Sequence, residues 1–175
     1  MTGVTLPSAA PASYAALYGF IAALAAEQDP PIFVVQGDLQ EFEPATYIVI
    51  EGVFDDQFVI EATGYTYIEH FSIEGNVTIF TGSGPTDSPG NIPATVMAAT
   101  YTAYANVVMA AVVTNRGGNG IPVLGVESYP WPFEIKAHTG SYMASPAFIG
   151  GATGGWQGTL NWSFQLRALV SPYSV

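Results

Sequence analysis

The sequence predicts an α+β domain in which two helices pack on one side of a mostly antiparallel β-sheet. Three observations support this fold class. The segments follow the order helix, several strands, helix, several strands along the 175 residues. Residues 159–168 alternate between polar and apolar side chains, as a strand with one covered face does. Two uncharged segments carry apolar residues at helical spacing, and these helices can cover the apolar face of the sheet.

The first helix follows an amino-terminal segment, residues 1–12, which we expect to be a flexible or loosely docked arm. Ser13 is placed to cap this helix. Asp29-Pro30-Pro31 ends it, because proline disfavours helical geometry in the preceding residue. The apolar stripe of the predicted helix consists of Tyr14, Leu17, Tyr18, Ile21 and Leu24.

Several strands follow, each rich in Ile, Val, Tyr, Phe and Thr. They are "IFVVQGD", "YIVIEGV", and two or three strands between Gln57 and Gly82. Gly64 and Gly75-Asn76 are candidate bulge or turn positions. Asp55-Asp56 is expected to lie in a turn between strands.

A second, longer helix follows the loop 83–91, with Asn91 as its cap and an end near Val113. One predicted face consists of Met97, Tyr101, Tyr104, Val108 and Ala111. The other consists of small or neutral polar residues: Thr95, Ala99, Thr102, Asn106 and Ala110. Surface helices ordinarily carry Glu and Lys on their outer side. We therefore expect this second face to be covered as well.

The carboxyl-terminal part reads as "PFEIKAHTGSYM", a loop "SPAFIGGATGG", and a long strand ending at Val170. In that strand Leu160, Trp162, Phe164, Leu166 and Ala168 form the apolar face, which the chain's own helices should cover. Its other face is polar but almost uncharged. Residues 13–175 are expected to form a single domain, since no internal repeat or second domain is visible.

This chain has few charged residues, and most of them are acidic. Only 10% of residues are charged, against about 25% in ordinary soluble domains. Fourteen carboxylates oppose three basic residues, Arg116, Lys136 and Arg167, and give a net charge of −11. An acidic surface lacks the basic groups that bind nucleic-acid phosphates. It is compatible with a protein that must not adhere to DNA. So few ions indicate either a membrane or a surface covered by other chains, and polar residues interrupting the second helix disfavour a membrane span.

Candidate catalytic residues are few. The chain has no cysteine, which excludes thiolate chemistry, and its two histidines, His70 and His138, lie in separate segments without a recognised spacing. We therefore predict no enzymatic activity, no cofactor, no metal, and no catalytic, cofactor-binding or metal-ligating residues.

Two groups of residues are candidates for a surface role. The first is an acidic surface made of Glu41, Glu43, Asp55 and Asp56. The second consists of aromatic residues in Gly- and Pro-rich loops, which can anchor a protein interface or form a small core beneath the loops: Trp131, Tyr142, Phe148 and Trp156.

The order of these elements resembles the tail terminator proteins of long-tailed bacteriophages, especially phages of actinobacteria. The resemblance covers nearly the full chain. It rests on a leading helix, "IFVVQGDLQEFEPATYIVIEGV", strands ending in "VTIFTG", a Ser/Asp/Pro loop, an Ala-rich helix, "RGGNGIPVLGVESYPWPFEI", and a glycine-rich stretch before "GTLNWSFQLRALV".

This resemblance implies a structural virion protein without enzymatic activity or cofactor. It implies a homo-oligomeric ring, usually a hexamer, in the neck region of the tail, assembled in the host cytoplasm. Such a ring sits on the tail tube protein, stops tube polymerisation and presents a surface to the head-tail connector protein. DNA passes through its lumen during ejection without specific binding.

Other assignments remain open at this point. A different phage neck or tail-tube ring subunit would share the same composition. A carbohydrate-binding or hydrolytic module would use the loop aromatics and the carboxylates. A secreted or membrane-attached acidic protein is the third alternative.

Overall fold

The computed structural model describes residues 8–37, 43–60, 67–81, 92–114, 131–149 and 152–170. It confirms the α+β fold class, with a mixed sheet of five strands and two helical segments. The elements are α1 (Ala10–Ala26), β1 (Phe33–Gln36), β2 (Thr46–Ile60), β3 (Tyr67–Thr81), α2 (Ile92–Ala103), a π-helical segment (Tyr104–Met109), α3 (Ala110–Thr114), β4 (Trp131–Ile149) and β5 (Ala152–Val170).

The strands follow the order β1-β2-β3-β5-β4 across the sheet. β1 pairs with β2 in parallel, and the other three pairs are antiparallel. β3 and β5 are the central strands and pair along their length, from Tyr67 opposite Val170 to Thr81 opposite Trp156. The sheet is therefore an antiparallel block of four long strands with one short parallel strand at an edge.

The core lies between the helices and the apolar face of the sheet. As predicted, Leu160, Trp162, Phe164, Leu166 and Ala168 are all buried. They join Leu17 and Ile21 of α1 and residues 103–112 of the second helical segment in one hydrophobic cluster. The helices therefore supply the cover that the alternation in β5 requires.

Helix α1 begins at Ala10, with its N-cap four residues earlier than the predicted cap Ser13. Ser13 is fully buried within the helix and makes no side-chain cap, so the predicted capping role is wrong. Ala9 occupies the N-cap position, and the carboxylate of Glu69 in β3 accepts a hydrogen bond from its backbone nitrogen at 2.6 Å. The cap is supplied across the fold, which local sequence cannot show.

The acidic pair in β2 forms a bulge rather than the predicted turn. The register between β2 and β3 shifts between Phe54 and Gln57, and Asp55 has a φ of 53°. The strand continues through this bulge to Ile60. A positive φ is uncommon for residues other than glycine, but Asp and Asn tolerate it best.

Gly75 and Asn76 lie inside β3 and do not form a turn. Gly75 pairs with Ile50 on one side and with Trp162 on the other. A Cβ added at Gly75 would lie 2.2 Å from the Val49 carbonyl oxygen and 2.4 Å from Cζ2 of Trp162. The glycine is therefore required by close packing in the middle of the sheet.

The second helical segment runs from Ile92 to Thr114 and contains six residues of π-helix. Tyr104, Val108 and Ala111 of the predicted apolar face are buried, whereas Met97 and Tyr101 are each 43% exposed. A π-helical turn contains more residues than an α-helical turn. The buried face therefore changes phase along the segment, which a constant helical period does not anticipate.

By length and composition alone, one helix in the described part of the chain could cross a membrane. It spans Ala94–Thr114, has a mean hydropathy of 1.6, and is 44% buried against the rest of the protein. A core helix of a soluble protein meets the same criterion.

The predicted loop "SPAFIGGATGG" is largely strand. β4 extends to Ile149 and β5 begins at Ala152, so the two form a long hairpin. Gly64, the loop 83–91 and the proposed cap Asn91 lie outside the described residues.

Candidate assembly surface

The sheet face opposite the helices, here called the open face, is polar and partly exposed. Its residues alternate with the buried ones along each long strand. Its described members on the two central strands are His70, Ser72, Glu74, Asn76, Thr78, Thr159, Asn161, Ser163, Gln165 and Arg167. Most are uncharged hydroxyls and amides, as the alternation in β5 predicts.

Cross-strand hydrogen bonds satisfy many of these polar groups. The hydroxyls of Thr78 and Thr159 lie 3.1 Å apart, and Thr78 also donates to Asn76 at 2.8 Å. The Asn76 amide donates to Glu51 at 3.0 Å and links β3 to β2. Such pairs stabilise a sheet while leaving the surface neutral.

The charged residues of the open face gather at one end. Glu134 of β4 accepts hydrogen bonds from Lys136 at 3.1 Å and from Arg167 at 2.9 Å. These two contacts lower the pKa of the Glu134 carboxyl below its usual range, the one from Lys136 contributing most. A shallow concavity of about 710 Å³ adjoins them and is also lined by Asp55 and His70.

The structure does not bring the four predicted acidic residues together. Asp55 lines the concavity on the open face, whereas Asp56 lies beside Ser8 near the start of α1. The bulge therefore sends two adjacent carboxylates to opposite sides of the sheet. Glu43 is exposed just before β2, and Glu41 lies outside the described residues.

The four predicted interface aromatics lie on strands of the β4–β5 hairpin and not in loops. Trp131 and Phe148 are near opposite ends of β4, and the structure describes only their backbone. Tyr142 is half-buried, with its ring centroid 6.1 Å from that of Tyr101 in α2. Trp156 is half-buried on β5, where its backbone nitrogen bonds to the Thr81 hydroxyl at 2.9 Å. They do not form one cluster.

Two strand edges have no partner among the described strands, and these edges were not predicted. β4 is the last strand on its side of the sheet. On the other side, β1 pairs only with residues 47–50 of β2, which leaves residues 51–60 open along that edge. Because an unpaired edge presents free N–H and C=O groups, it is a ready site for another strand.

Exposed apolar side chains lie along both open edges. On β2 they are Phe54 (42% exposed), Phe58 (40%) and Val59 (48%). On the β4 side, Met143 is 67% exposed, and Met97 and Tyr101 of α2 are exposed nearby. The sequence shows that these residues are apolar. It does not show that they lie at sheet edges, because that depends on the order of the strands.

The described residues contain no group of three or more Asp, Glu or His side chains that could hold a metal ion. The open face presents neutral hydrogen-bonding groups and a small cluster of charges.

Comparison with known proteins gives a structural likeness but no sequence relative. No protein-family model matches the chain, and no curated protein matches it. Among solved structures, the chain is similar to one in the virion of a native gene transfer agent (GTA) particle. The identity is 16% and the TM-score 0.39, over 89% of this chain and 93% of that one. Values this low do not by themselves establish a shared fold or a shared role.

Proposed function

We propose that this chain is a structural virion protein that forms a ring on the end of a phage tail tube. The ring stops tube growth and provides the surface to which the head-tail connector attaches. The proposed copy number is six, by the resemblance to tail terminator proteins. The chain acts without catalysis and without a cofactor.

The observation that carries this proposal is the absence of ions from the outer sides of both helical segments. Neither Ala10–Ala26 nor Ile92–Thr114 contains a charged residue. Their exposed residues include Ala12, Ala15, Gly19, Ala23, Ala98, Ala99, Thr102, Ala105 and Asn106. A helix exposed to water for the life of a protein ordinarily carries charged residues on that side. Coverage by other subunits explains their absence here.

The open face suits the wall of a passage for DNA. Its hydroxyls and amides bond one another, and Lys136 and Arg167 are both held by Glu134. Counterion release from DNA requires basic groups that are available to phosphates. A wall of this kind, in a chain with a net charge of −11, lets a polyanion slide past without adhering.

Negative-stain microscopy of the purified chain, alone and mixed with tail tubes, tests the proposal. We expect single closed rings from the chain alone, and capped, shorter tubes when it is added during tube polymerisation. Long tubes formed by the chain alone would instead identify a tube subunit, the nearest alternative. A monomer that docks on no tail at high concentration would overturn the proposal.

A further inference from the structure

We propose that neighbouring copies join by pairing the outer edge of β4 with residues 51–60 of β2 in the next copy. In this junction Lys136 of one copy faces Asp55 of the next. The inference rests on the proposed ring and names the strands, the register and the ion pair that close it.

Strand direction supports this pairing. β2, β3, β5 and β4 form a block in which every neighbouring pair is antiparallel. Because the block has an even number of strands, β4 runs opposite to β2. When a second copy stands beside the first in the same orientation, its β2 lies antiparallel to the first copy's β4. Alternation therefore continues across the junction, and the pairing repeats from copy to copy until a ring closes.

The two edges also complement each other in composition. Each carries backbone groups that no described strand satisfies. Exposed apolar side chains accompany both edges, with Phe54 and Phe58 on β2, and with Met143 on β4 and Tyr101 beside Tyr142 of β4. Joining the two edges would give these N–H and C=O groups hydrogen-bond partners. It would also remove apolar surface area from water.

The pairing register places opposite charges at the same height in the sheet. Lys136 is opposite Gln165, Gln165 is opposite Ser72, and Ser72 is opposite Phe54, the residue before Asp55. Copies standing level with each other therefore bring a β4 cation to the acidic bulge of β2. Lys136 also keeps its contact with Glu134 in its own copy, and its side chain is 67% exposed, so the pair with Asp55 fixes register more than it adds affinity.

The helices are placed to follow the strands across the junction. α1 contacts β1 and β2, whereas α2 contacts β4 and β5. Joining β4 to the next β2 thus brings α2 beside the neighbour's α1. Both helices turn small uncharged residues outward, which permits close approach without burying a charge.

In a level ring only residues 131–139 of β4 face the free edge of β2, because β1 of the next copy is level with Tyr142. Six such blocks would form a ring wall of 24 long strands, with β1 entering each junction beyond the register shift of β4 between Thr139 and Tyr142. With strands about 4.8 Å apart, the ring would measure roughly 37 Å between opposing backbones if the strands ran along its axis. Barrels of 16–18 strands already leave an aqueous channel. The helices would lie outside and the open face inside, because only one face of a closed sheet can line the lumen.

A charge exchange tests the ion pair. Lys136→Glu places like charges at the junction and should raise the concentration needed for ring assembly about tenfold, as measured by sedimentation velocity. Adding Asp55→Asn should restore most of that loss, since Asn also tolerates a positive φ. The matched control adds Glu74→Gln, which removes the same charge from central strand β3 and should restore nothing. Unchanged assembly of Lys136→Glu, or equal rescue by Glu74→Gln, would overturn the ion pair.

Cross-linking tests the strand pairing without relying on charge. The chain has no cysteine, so introduced thiols are unique. His138 and Gly52 are level in the sheet through Ser163 and Glu74, and Glu51 is the neighbouring exposed residue. A chain carrying both Glu51→Cys and His138→Cys should give an oxidised ladder that ends at the ring size, whereas either single variant should not. Wild-type rings without this ladder would reject the junction alone, and absence of wild-type rings would reject the proposed function.

Discussion

Glu69 is the one fully buried carboxylate in the described part of the chain. Its Oε2 accepts a hydrogen bond from the Ala9 nitrogen at 2.6 Å, and its Oε1 accepts one from the Ser8 hydroxyl at 2.5 Å. It therefore caps α1 from the neighbouring sheet, where a negative charge is favoured by the helix dipole. Burial nevertheless raises the pKa of its carboxyl, and the nearby Asp56 raises it further.

The raised pKa of Glu69 predicts a pH-dependent stability. Between the ordinary glutamate pKa and the raised folded value, the folded state binds more protons than the unfolded state. The contribution of Glu69 to the free energy of unfolding is therefore present at lower pH and is lost as pH rises through the folded pKa. Urea unfolding of wild type and Glu69→Gln between pH 4 and 8 measures it, and we expect the difference between them to vary across that window.

Two further variants serve as controls for the Glu69→Gln measurement. Glu51→Gln removes an exposed carboxylate and should leave the pH profile of stability as in wild type. Glu69→Ala removes both acceptors of the cap and should cost about 2 kcal/mol at neutral pH. A Glu69→Gln profile that parallels wild type throughout would contradict the assignment to this residue.

Gly75 and Gly19 predict opposite results for the same substitution. Gly75→Ala forces a methyl group against the Val49 backbone and the Trp162 ring, and should lower the free energy of unfolding by about 3 kcal/mol. Gly19→Ala meets nothing within 4 Å on the exposed side of α1 and should raise it by about 1 kcal/mol. Chemical denaturation measures both, and similar values for the two would contradict the packing described here.

At the scale of an element, a substitution on the outer side of α2 can distinguish an effect on folding from an effect on ring assembly. Ala99 is an exposed residue of α2. Ala99→Glu should therefore change the free energy of unfolding by less than about 0.5 kcal/mol. It should still abolish ring formation, because the charge would be buried between copies.

Asn161→Glu is the matched control for this prediction. It adds the same charge at an exposed position of β5 on the open face, which is proposed to line the passage, and it should leave rings intact. Loss of rings in both variants, or in neither, would show that the helix side is not the covered one.

The elements that the sequence predicts best are those with a regular period. β5 alternates without interruption, so its buried and open faces were both evident. β4 was partly read as a loop because Pro146 and Gly140 occur in it, although proline and glycine are tolerated at an edge strand and at a register shift. The π-helical segment and the Asp55 bulge change phase within an element, and no periodic pattern can locate such a change.

At the scale of the whole molecule, charge placement predicts how the assembly treats DNA. Glu51 and Glu74 lie on the open face, whereas Glu27 and Asp29 are exposed residues that follow the end of α1. Rings carrying both Glu51→Lys and Glu74→Lys should bind duplex DNA several-fold more tightly than wild type, with an affinity that falls steeply with salt.

The same charge change at Glu27 and Asp29 is the comparison for these rings. Because those residues follow α1 and lie off the open face, the Glu27→Lys, Asp29→Lys rings should bind DNA no more than about twofold better than wild type, as fluorescence anisotropy can measure. Equal binding by both sets would indicate that net charge alone governs DNA affinity.

The fold class and the apolar face of β5 that the helices cover could be predicted because both follow from composition and period. The edges proposed to join copies could not, since they depend on strand order. Only the order β1-β2-β3-β5-β4 shows that β4 and the later part of β2 are edges. The four predicted aromatics all lie on the β4–β5 hairpin, but their spacing along it reflects pairing that the sequence does not encode locally.

The bulge at Asp55 and Asp56 gives β2 one residue more than β3 between the pairs Phe54–Ser72 and Gln57–His70. Side chains alternate with a period of two, so a strand that lost one of these two aspartates would pair there as a regular ladder. Phe58 would still lie opposite Glu69 on the helix side, and Val59 would keep the side it has now. A single in-frame codon deletion would thus remove one carboxylate and the local kink while leaving the facing of every later residue in β2 unchanged.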